Sequence, residues 1–387
     1  MCVDDVPMSE SVFDAAVVGA GIAGASLACE LARDARVLLI EREAQPGVHS
    51  TGRSAAMFME SYGAPQARAL TRASRSFYSS PPAGFTEVPI LSPRGVFYVA
   101  WRGQEAALDA LYRELQSTGS PVHRVHAAEV LARVPVLRRE GLIGAIAEPE
   151  ATDIDVHALH QGWLRGMRQL GGTLWCDAEL QLATLTGGHW TITLADGRSV
   201  RSRTLVNAGG AWADEVATRC GARPLGLQPR RRSAFTFAPP QGVDARGWPT
   251  VADVGEAWYF KPDAGQLLGS PANADPVAPH DVLPEELDIA TGIAGIEAAT
   301  TMTIRRPTRT WAGLRTFAPD GELVIGWDAD RTAFFWLAGQ GGYGIQSAAG
   351  AALLAGAIWR GAPLPEPLVR QGIEPHRMES ARLRAAA

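Results

Sequence analysis

Six residues, Gly19-Ala20-Gly21-Ile22-Ala23-Gly24, carry the sharpest chemical signal in the chain. They follow an apolar run, Phe13 to Val18, that reads as a buried strand, and they open an Ala-rich stretch, Ile22 to Arg33, that reads as a helix. In that setting the first glycine permits a tight turn, the second lets backbone N–H groups approach a pyrophosphate, and the third allows helix and strand to pack closely. The helix N-terminus favours the phosphate charge. A second strand, Val37 to Glu41, completes a βαβ unit; its terminal acid, Glu41, stands 20 residues after Gly21, where a carboxylate can hold a ribose hydroxyl pair. The combination predicts a dinucleotide site and leaves the choice of dinucleotide, flavin or nicotinamide, open.

Other chemistries lack their residues. The eight histidines show no H-E-x-x-H or other metal-ligand spacing, and no G-x-S-x-G motif is present, so neither a metal site nor a serine hydrolase is expected. Cys2, Cys29, Cys176 and Cys220 lie far apart without a C-x-x-C pair, which fits a reducing, cytoplasmic setting. With 36 basic and 41 acidic residues the net charge is −5, which removes the electrostatic motive for binding nucleic acid. No run approaches the roughly 18 apolar residues of a membrane helix, so a soluble protein is expected. Arg230-Arg231-Arg232, taken alone, reads as an exposed basic run.

The elements around the motif are mixed. His157 to Leu170 is amphipathic and helical; Trp190 to Leu194, a turn at Asp196-Gly197 and Thr204 to Asn207 read as strands; Ser233 to Phe237 is another strand. Ala257 to Lys261 and Gln266 to Gly269 form a hairpin, Pro284 opens a helix running to Ala299, and Phe334 to Ala338 leads through the Gly-rich Gly339 to Gly344 into a helix, Ile345 to Trp359. A length of 387 residues suggests two domains or more, and the interleaving of strand-rich and helical blocks predicts that one is discontinuous.

Longer runs resemble a known family. Glu41-Arg42-Glu43-Ala44-Gln45-Pro46-Gly47 and His49-Ser50-Thr51-Gly52-Arg53-Ser54-Ala55-Ala56 are similar to the FAD-binding start of the D-amino-acid oxidase superfamily. More narrowly they resemble the D-arginine dehydrogenase type of bacterial D-amino-acid dehydrogenase. The likeness continues through Leu-His-Gln-Gly at 159 to 162, Arg-Pro-Leu-Gly-Leu-Gln-Pro at 223 to 229, Lys-Pro-Asp-Ala-Gly at 261 to 265, Trp-Ala-Gly-Leu-Arg at 311 to 315 and Gln-Gly-Gly-Tyr-Gly-Ile-Gln at 340 to 346. It implies an α/β fold: a Rossmann-like FAD-binding domain (1–91, 145–230 and 311–387) and a discontinuous α+β substrate domain (92–144 and 231–310), with FAD bound non-covalently.

By position, the resemblance assigns the cofactor to Gly19, Gly21, Ile22, Ala23, Gly24, Glu41 and Arg42 at the adenosine half. Ser50, Thr51, Arg53 and Ser54 are assigned along the pyrophosphate, with Asn207, Ala208, Gly209 and Trp212 from a second strand end. Gly341, Gly342, Tyr343, Gly344 and Ile345 fall beside the flavin ring. Arg315 matches the arginine that grips a substrate carboxylate, a task suited to a planar guanidinium fork. Tyr259, Arg232 and Tyr62 match its helpers, and the Gly342 carbonyl is a candidate acceptor for the substrate amine. Arg230 and Arg231 keep the solvent-exposed reading.

The expected reaction is oxidation of a D-amino acid to the imino acid by hydride transfer to flavin N5, followed by hydrolysis to the 2-oxo acid. The electron acceptor, oxygen or a quinone, is left open. In the D-arginine dehydrogenase type a glutamate follows the segment matching Leu91 to Arg94, whereas Gly95-Val96-Phe97 stands here. Met57, Val96, Thr250 and Ala252 then give a neutral pocket, predicting a hydrophobic substrate unless Glu87 or Glu60 restores the acid. Oxidation of a cyclic or N-substituted amino acid is the alternative, and a flavin-binding protein without turnover is disfavoured because Arg315, Arg232 and Tyr259 are all present.

Overall fold

The computed structural model describes residues 12–384. Cys2 and the outer ends of the expected FAD-binding segments therefore lie outside the described residues. The first sheet is built on five parallel strands in the order Phe334–Ala338, Ser199–Asn207, Phe13–Val18, Val37–Ile40 and Thr173–Trp175. Phe13–Val18, Val37–Ile40 and Phe334–Ala338 are almost wholly apolar without alternation because both faces are covered. On one face the Ile22–Leu31 helix packs against Val156–Gln169 and Ala348–Arg360. Small residues let these helices close up: a Cβ added at Gly350 would stand 2.4 Å from the Leu70 carbonyl of the Pro65–Ser79 helix. The other face buries Trp190, Ile192, Leu205 and Trp336 beneath an antiparallel meander.

The second sheet is mixed and nine-stranded. At one end is the long pair Gln228–Phe237 and Arg309–Phe317, antiparallel over nine register positions. Gln266–Ser270, Tyr259–Asp263, Thr250–Asp253, Val96–Trp101 and Leu142–Glu148 extend it outward. The Glu286–Ala299 helix covers one face, burying Phe235, Phe260 and Ile296. Leu142–Glu148 and Arg309–Phe317 thus belong to the second sheet, although the segments carrying most of them were expected in the FAD-binding domain.

Several expected boundaries shift for identifiable reasons. Thr204 to Asn207 is the second half of one strand, Ser199–Asn207, whose first half pairs antiparallel with His189–Leu194 and whose second half pairs parallel with Phe13–Val18. The last long helix starts at Ala348 rather than Ile345, because Gly339 to Ser347 is spent on a turn that returns to the second sheet. Pro284 lies one residue ahead of the N-cap Glu285 and is not a first-turn residue. Ser233 to Phe237 begins earlier, at Gln228, which places all three consecutive arginines in a strand.

That last difference overturns the exposed reading of Arg231. Strand alternation sends Arg232 to one face of the sheet and Arg231 to the other. There Arg231, 8% exposed, meets Asp288 at 3.0 Å, Asp275 at 3.5 Å and Glu285. Arg230 is half-buried, its guanidinium over the Phe317 ring.

Candidate active site

Four parallel strands end at one crevice: Val18 leads to Gly19, Ile40 to Glu41, Asn207 to Ala208, and Ala338 to Gly339. Chain order reverses around Phe13–Val18, the topological switch point at which open α/β sheets bind ligands. One continuous cleft runs from Glu41, Arg42 and Trp212 past Gly19, Gly21 and Thr51 to Arg232, Tyr259, Arg315 and Gly342.

At the near end Glu41 is buried and its carboxylate accepts from Ala20 N (2.9 Å) and Glu43 N (3.0 Å). Burial pushes its carboxyl up, against those two amide hydrogen bonds. The Arg42 guanidinium lies 4.7 Å over the Trp212 ring, and His49 packs on the same ring while contacting Glu43 at 2.8 Å. Gly19 has φ +100°, and a Cβ there would stand 2.4 Å from the Ala208 carbonyl. Gly24 has no room at all, with its Cβ 1.8 Å from Gly19 O.

Gly21, by contrast, lines the cleft and is the N-cap of a helix with no side-chain cap and no acid in its first turn. Thr51 Oγ1 accepts from Ile22 N at 3.0 Å. Buried Gln340 Nε2 has no hydrogen-bond partner among the described residues, and Gln340 lines the same cleft. A helix N-terminus with no first-turn acid and no side chain at its N-cap, a glycine cradle and an orphaned donor fit a dinucleotide pyrophosphate and flavin ring.

Ile22, Ala23, Ser50, Ser54, Ala208, Gly209, Gly341, Gly344 and Ile345 also line the cleft. Three expected cofactor residues do not. Gly24 is a packing position. Asn207 is fully buried, its amide donating to Ala213 O (2.7 Å) and accepting from Gly209 N (3.2 Å), so it shapes the loop instead. Tyr343 turns its ring to Tyr62 and Phe317. Arg53 lines the cleft, yet its guanidinium is committed to Val48 O, Val282 O, Ala312 O and Asp281 and brings no free charge to a pyrophosphate.

At the far end Arg315 Nη1 donates to the Tyr62 hydroxyl at 3.2 Å, and Arg232 Nε donates to Asn273 O at 2.6 Å. Among the described residues neither guanidinium has an acidic partner, although most other arginines near the cleft do. Burial, reinforced by the Arg315 charge, holds Arg232 below its ordinary range. Burial alone would raise the Tyr259 phenol, but the charges of Arg232 and Arg315 outweigh it and the net direction is down. The site is therefore electropositive, with no carboxylate paired to either guanidinium among the described residues. A Cβ at Gly342 would come within 3.2 Å of Arg315 Nη1, so the glycine lets main chain approach the clamp. Gly341 N donates to Thr316 O at 2.7 Å, tying that loop to the Arg315 strand.

Beyond the clamp a side pocket is walled by Met57, Met59, Val96, Thr250, Ala252 and Trp258, with Thr250 Oγ1 3.0 Å from Met57 Sδ. Neither Glu60 nor Glu87 enters it: Glu60 pairs with Arg75 and Glu87 is exposed. Sequence reasoning missed Tyr98, Gln346, Lys261 and Glu256 in its lining. Tyr98 is two residues after Val96 on one strand, and that period was the available signal. Lys261, the chain's only lysine, is buried and neutralised by Asp153 at 2.7 Å, which Arg94 also meets at 2.6 Å. Glu256 is exposed at the mouth, on a turn.

No group of three or more metal-ligating side chains occurs among the described residues, nor a helix long and apolar enough to cross a membrane.

A family model described as FAD dependent oxidoreductase (DAO) matches residues 14–357. Glycine oxidase from Geobacillus kaustophilus is 25% identical over 350 residues, 86% of this chain and 89% of that one. L-2-hydroxyglutarate dehydrogenase from Salmonella houtenae is 25% identical over 240 residues, and the match spans only 55% of that protein's length and 59% of this chain. Among solved structures, the G. kaustophilus glycine oxidase superposes with a TM-score of 0.80 (22% identity; 92% of this chain, 96% of that one). L-alpha-glycerophosphate oxidase from Mycoplasma pneumoniae, with FAD bound, gives 0.81 (14% identity; 91% and 95%). These structural likenesses show the fold.

Proposed function

The chain belongs to the DAO family of FAD-dependent oxidoreductases, with FAD as its cofactor, and from that premise we propose that it oxidises the Cα–N bond of a neutral, hydrophobic D-amino acid to the imino acid, which water converts to the 2-oxo acid. The observation that carries the reading is the pair Arg232 and Arg315, two guanidiniums without an acidic partner facing a cleft that continues into an apolar pocket. Such a pair suits a carboxylate.

FAD would be held by the helix N-terminus at Gly21, by Glu41 and by Gly341, Gly342, Gly344 and Ile345, and when bound would supply the hydride acceptor. The rest is positioning. Arg315 and Arg232 bind and orient the carboxylate. The Tyr62 and Tyr259 hydroxyls complete its coordination. The Gly342 carbonyl accepts from the substrate amine, which fixes the face from which Cα–H is presented. No side chain is needed to abstract the Cα proton as a base when the amine is neutral. Met57, Met59, Val96 and Trp258 exclude water around the side chain, each Å2 of apolar surface buried contributing about 25 cal/mol.

A cationic side chain gains little here. Lys261 is neutralised by Asp153, and Glu256 at the exposed mouth is screened by water. The names of the relatives, glycine oxidase and, over 139 residues at 27% identity, dimethylglycine dehydrogenase, also support an amine donor; they keep an N-substituted amino acid as the second reading. Anaerobic flavin bleaching by matched D-, L- and N-methyl amino acids separates the two. Bleaching by none of them removes both and leaves the non-enzymatic flavoprotein.

A further inference from the structure

We propose that Glu148 is a positioning residue for the carboxylate clamp, holding the segment Met59 to Tyr62 through Ser61 and so setting the Tyr62 hydroxyl against Arg315; the role rests on the clamp reading above. Glu148 ends the Leu142–Glu148 strand directly opposite Val96, in the wall behind the side-chain pocket, and is 2% exposed. Among the described residues it has no ion-pair partner. Its partners are Tyr98 on the neighbouring strand and Ser61, whose Oγ lies 2.8 Å from both Oε1 and Oε2.

A hydroxyl carries one proton, which is either shared between the two carboxylate oxygens or given to one of them while a carboxyl that keeps its own proton donates it back to Oγ. The surroundings favour the latter. Burial pushes the Glu148 carboxyl up; Glu60, from the segment that carries Ser61, pushes the same way, and the opposing hydrogen bonds come from neutral Ser61 and from Tyr98 on the neighbouring strand. No cation faces it.

The consequence lies one residue on. Ser61 is buried and is followed by Tyr62, the hydroxyl that accepts from Arg315 Nη1. On its other side the same segment is gripped by Gln346, whose Oε1 accepts from Met59 N (3.2 Å) and whose Nε2 donates to Tyr62 O (3.2 Å). Met59 to Tyr62 is thus bracketed by an amide and a carboxyl. The bracket has little slack, since the Tyr62 ring meets Tyr343 edge-on at 5.3 Å and a Cβ at Gly342 would lie 3.3 Å from the Tyr62 hydroxyl. Glu148 touches neither substrate nor cofactor cleft; its effect passes through Ser61.

The test compares Glu148→Leu, which fills the space without the hydrogen bonds, with Glu148→Gln, which keeps a donor and an acceptor, both as FAD-loaded protein. Benzoate, an apolar carboxylate, is titrated by its effect on the flavin spectrum, and steady-state kinetics are taken with whichever amino acid bleaches the flavin. Losing the buried link should raise the benzoate Kd and the substrate KM about tenfold in Glu148→Leu with kcat changed less than about threefold, and Glu148→Gln should recover both to within about twofold of the wild type. If Glu148→Leu fails to fold, Ser61→Ala cuts the same link: its effect should disappear in a Tyr62→Phe background, because both act through one hydroxyl. Wild-type binding in Glu148→Leu, a Gln variant as impaired as the Leu variant, or independent effects of Ser61→Ala and Tyr62→Phe would each overturn the proposal. If no amino acid bleaches the flavin while benzoate still separates Leu from Gln, the substrate reading falls and the positioning role stands.

Discussion

Arg315 stands directly opposite Arg230 in the antiparallel pair of Gln228–Phe237 and Arg309–Phe317, and Arg232 stands opposite Gly313, so that Arg232 and Arg315 are diagonal neighbours on the face that lines the cleft. Two like charges in one site repel, and the sheet register holds them there. Arg231, between Arg230 and Arg232 in sequence, points away into an acidic cluster.

The opposite faces predict opposite phenotypes. Arg315→Ala should fold and bind FAD but lose kcat/KM by roughly 1.5 to 3 kcal/mol, about 10- to 150-fold, as expected for a charge-assisted contact. Arg231→Ala should keep kcat/KM per folded molecule and instead lose stability by about 1 to 3 kcal/mol, because half-buried Asp288 loses its charged partner and keeps only Ser233 and Asn273. Equal activity in the two variants, measured alongside Tm, would contradict the assignment.

The glycines separate in the same way. Gly24→Ala has nowhere to put its Cβ and should destabilise the protein even without cofactor. Gly21→Ala, whose Cβ would stand 3.2 Å from Thr51 Oγ1, should keep the apoprotein Tm nearly unchanged and weaken FAD. Apoprotein melting followed by FAD titration reads both.

Tyr259 predicts an alkaline limb. Its phenol is neutral below its pKa and anionic above it, and the two arginine charges bring that pKa below the usual value near 10. An anionic Tyr259 offsets the positive clamp and repels a carboxylate, so benzoate binding should weaken as pH rises through the lowered pKa. Benzoate itself does not titrate there. Tyr259→Phe should move the limb to higher pH; an unchanged limb would remove Tyr259 as its source.

His160, in the Leu-His-Gln-Gly run, gives a prediction of the opposite direction. Its Nε2 contacts Ala20 O at 2.8 Å within the glycine turn, and burial lowers its pKa. A group lowered on folding binds protons more readily when unfolded, so its contribution to stability is full above the unfolded value of about 6.5 and is lost as pH falls. His160→Gln should flatten the acid side of the stability profile, measured by urea denaturation between neutral and mildly acid pH.

What the sequence carried was local. The strand, glycine turn, helix and second strand are contiguous, and the Phe13–Val18 and Val37–Ile40 strands and Glu41 fall where their spacing puts them. Val96, Met57, Thr250 and Ala252 do meet in one pocket. The acids around Arg231 lie 44 to 57 residues away and reach it by strand pairing and by the Glu286–Ala299 helix, which no local pattern encodes. Glu148 and Ser61 are 87 residues apart and are brought together by the pairing of Met57–Phe58 with Thr152–Ile154, the strand just after Glu148. The direction of the Arg53 guanidinium depends on Asp281 and Val282, equally remote in sequence.

The central claim is a carboxylate clamp over a neutral side-chain pocket, and anaerobic reduction of the bound flavin by single amino acids tests it most directly. D-leucine, D-methionine and D-phenylalanine should bleach the flavin with kcat/KM well above that for D-arginine, and their L-enantiomers should leave it oxidised. A clear preference for D-arginine, or bleaching by the L-enantiomers alone, would contradict it.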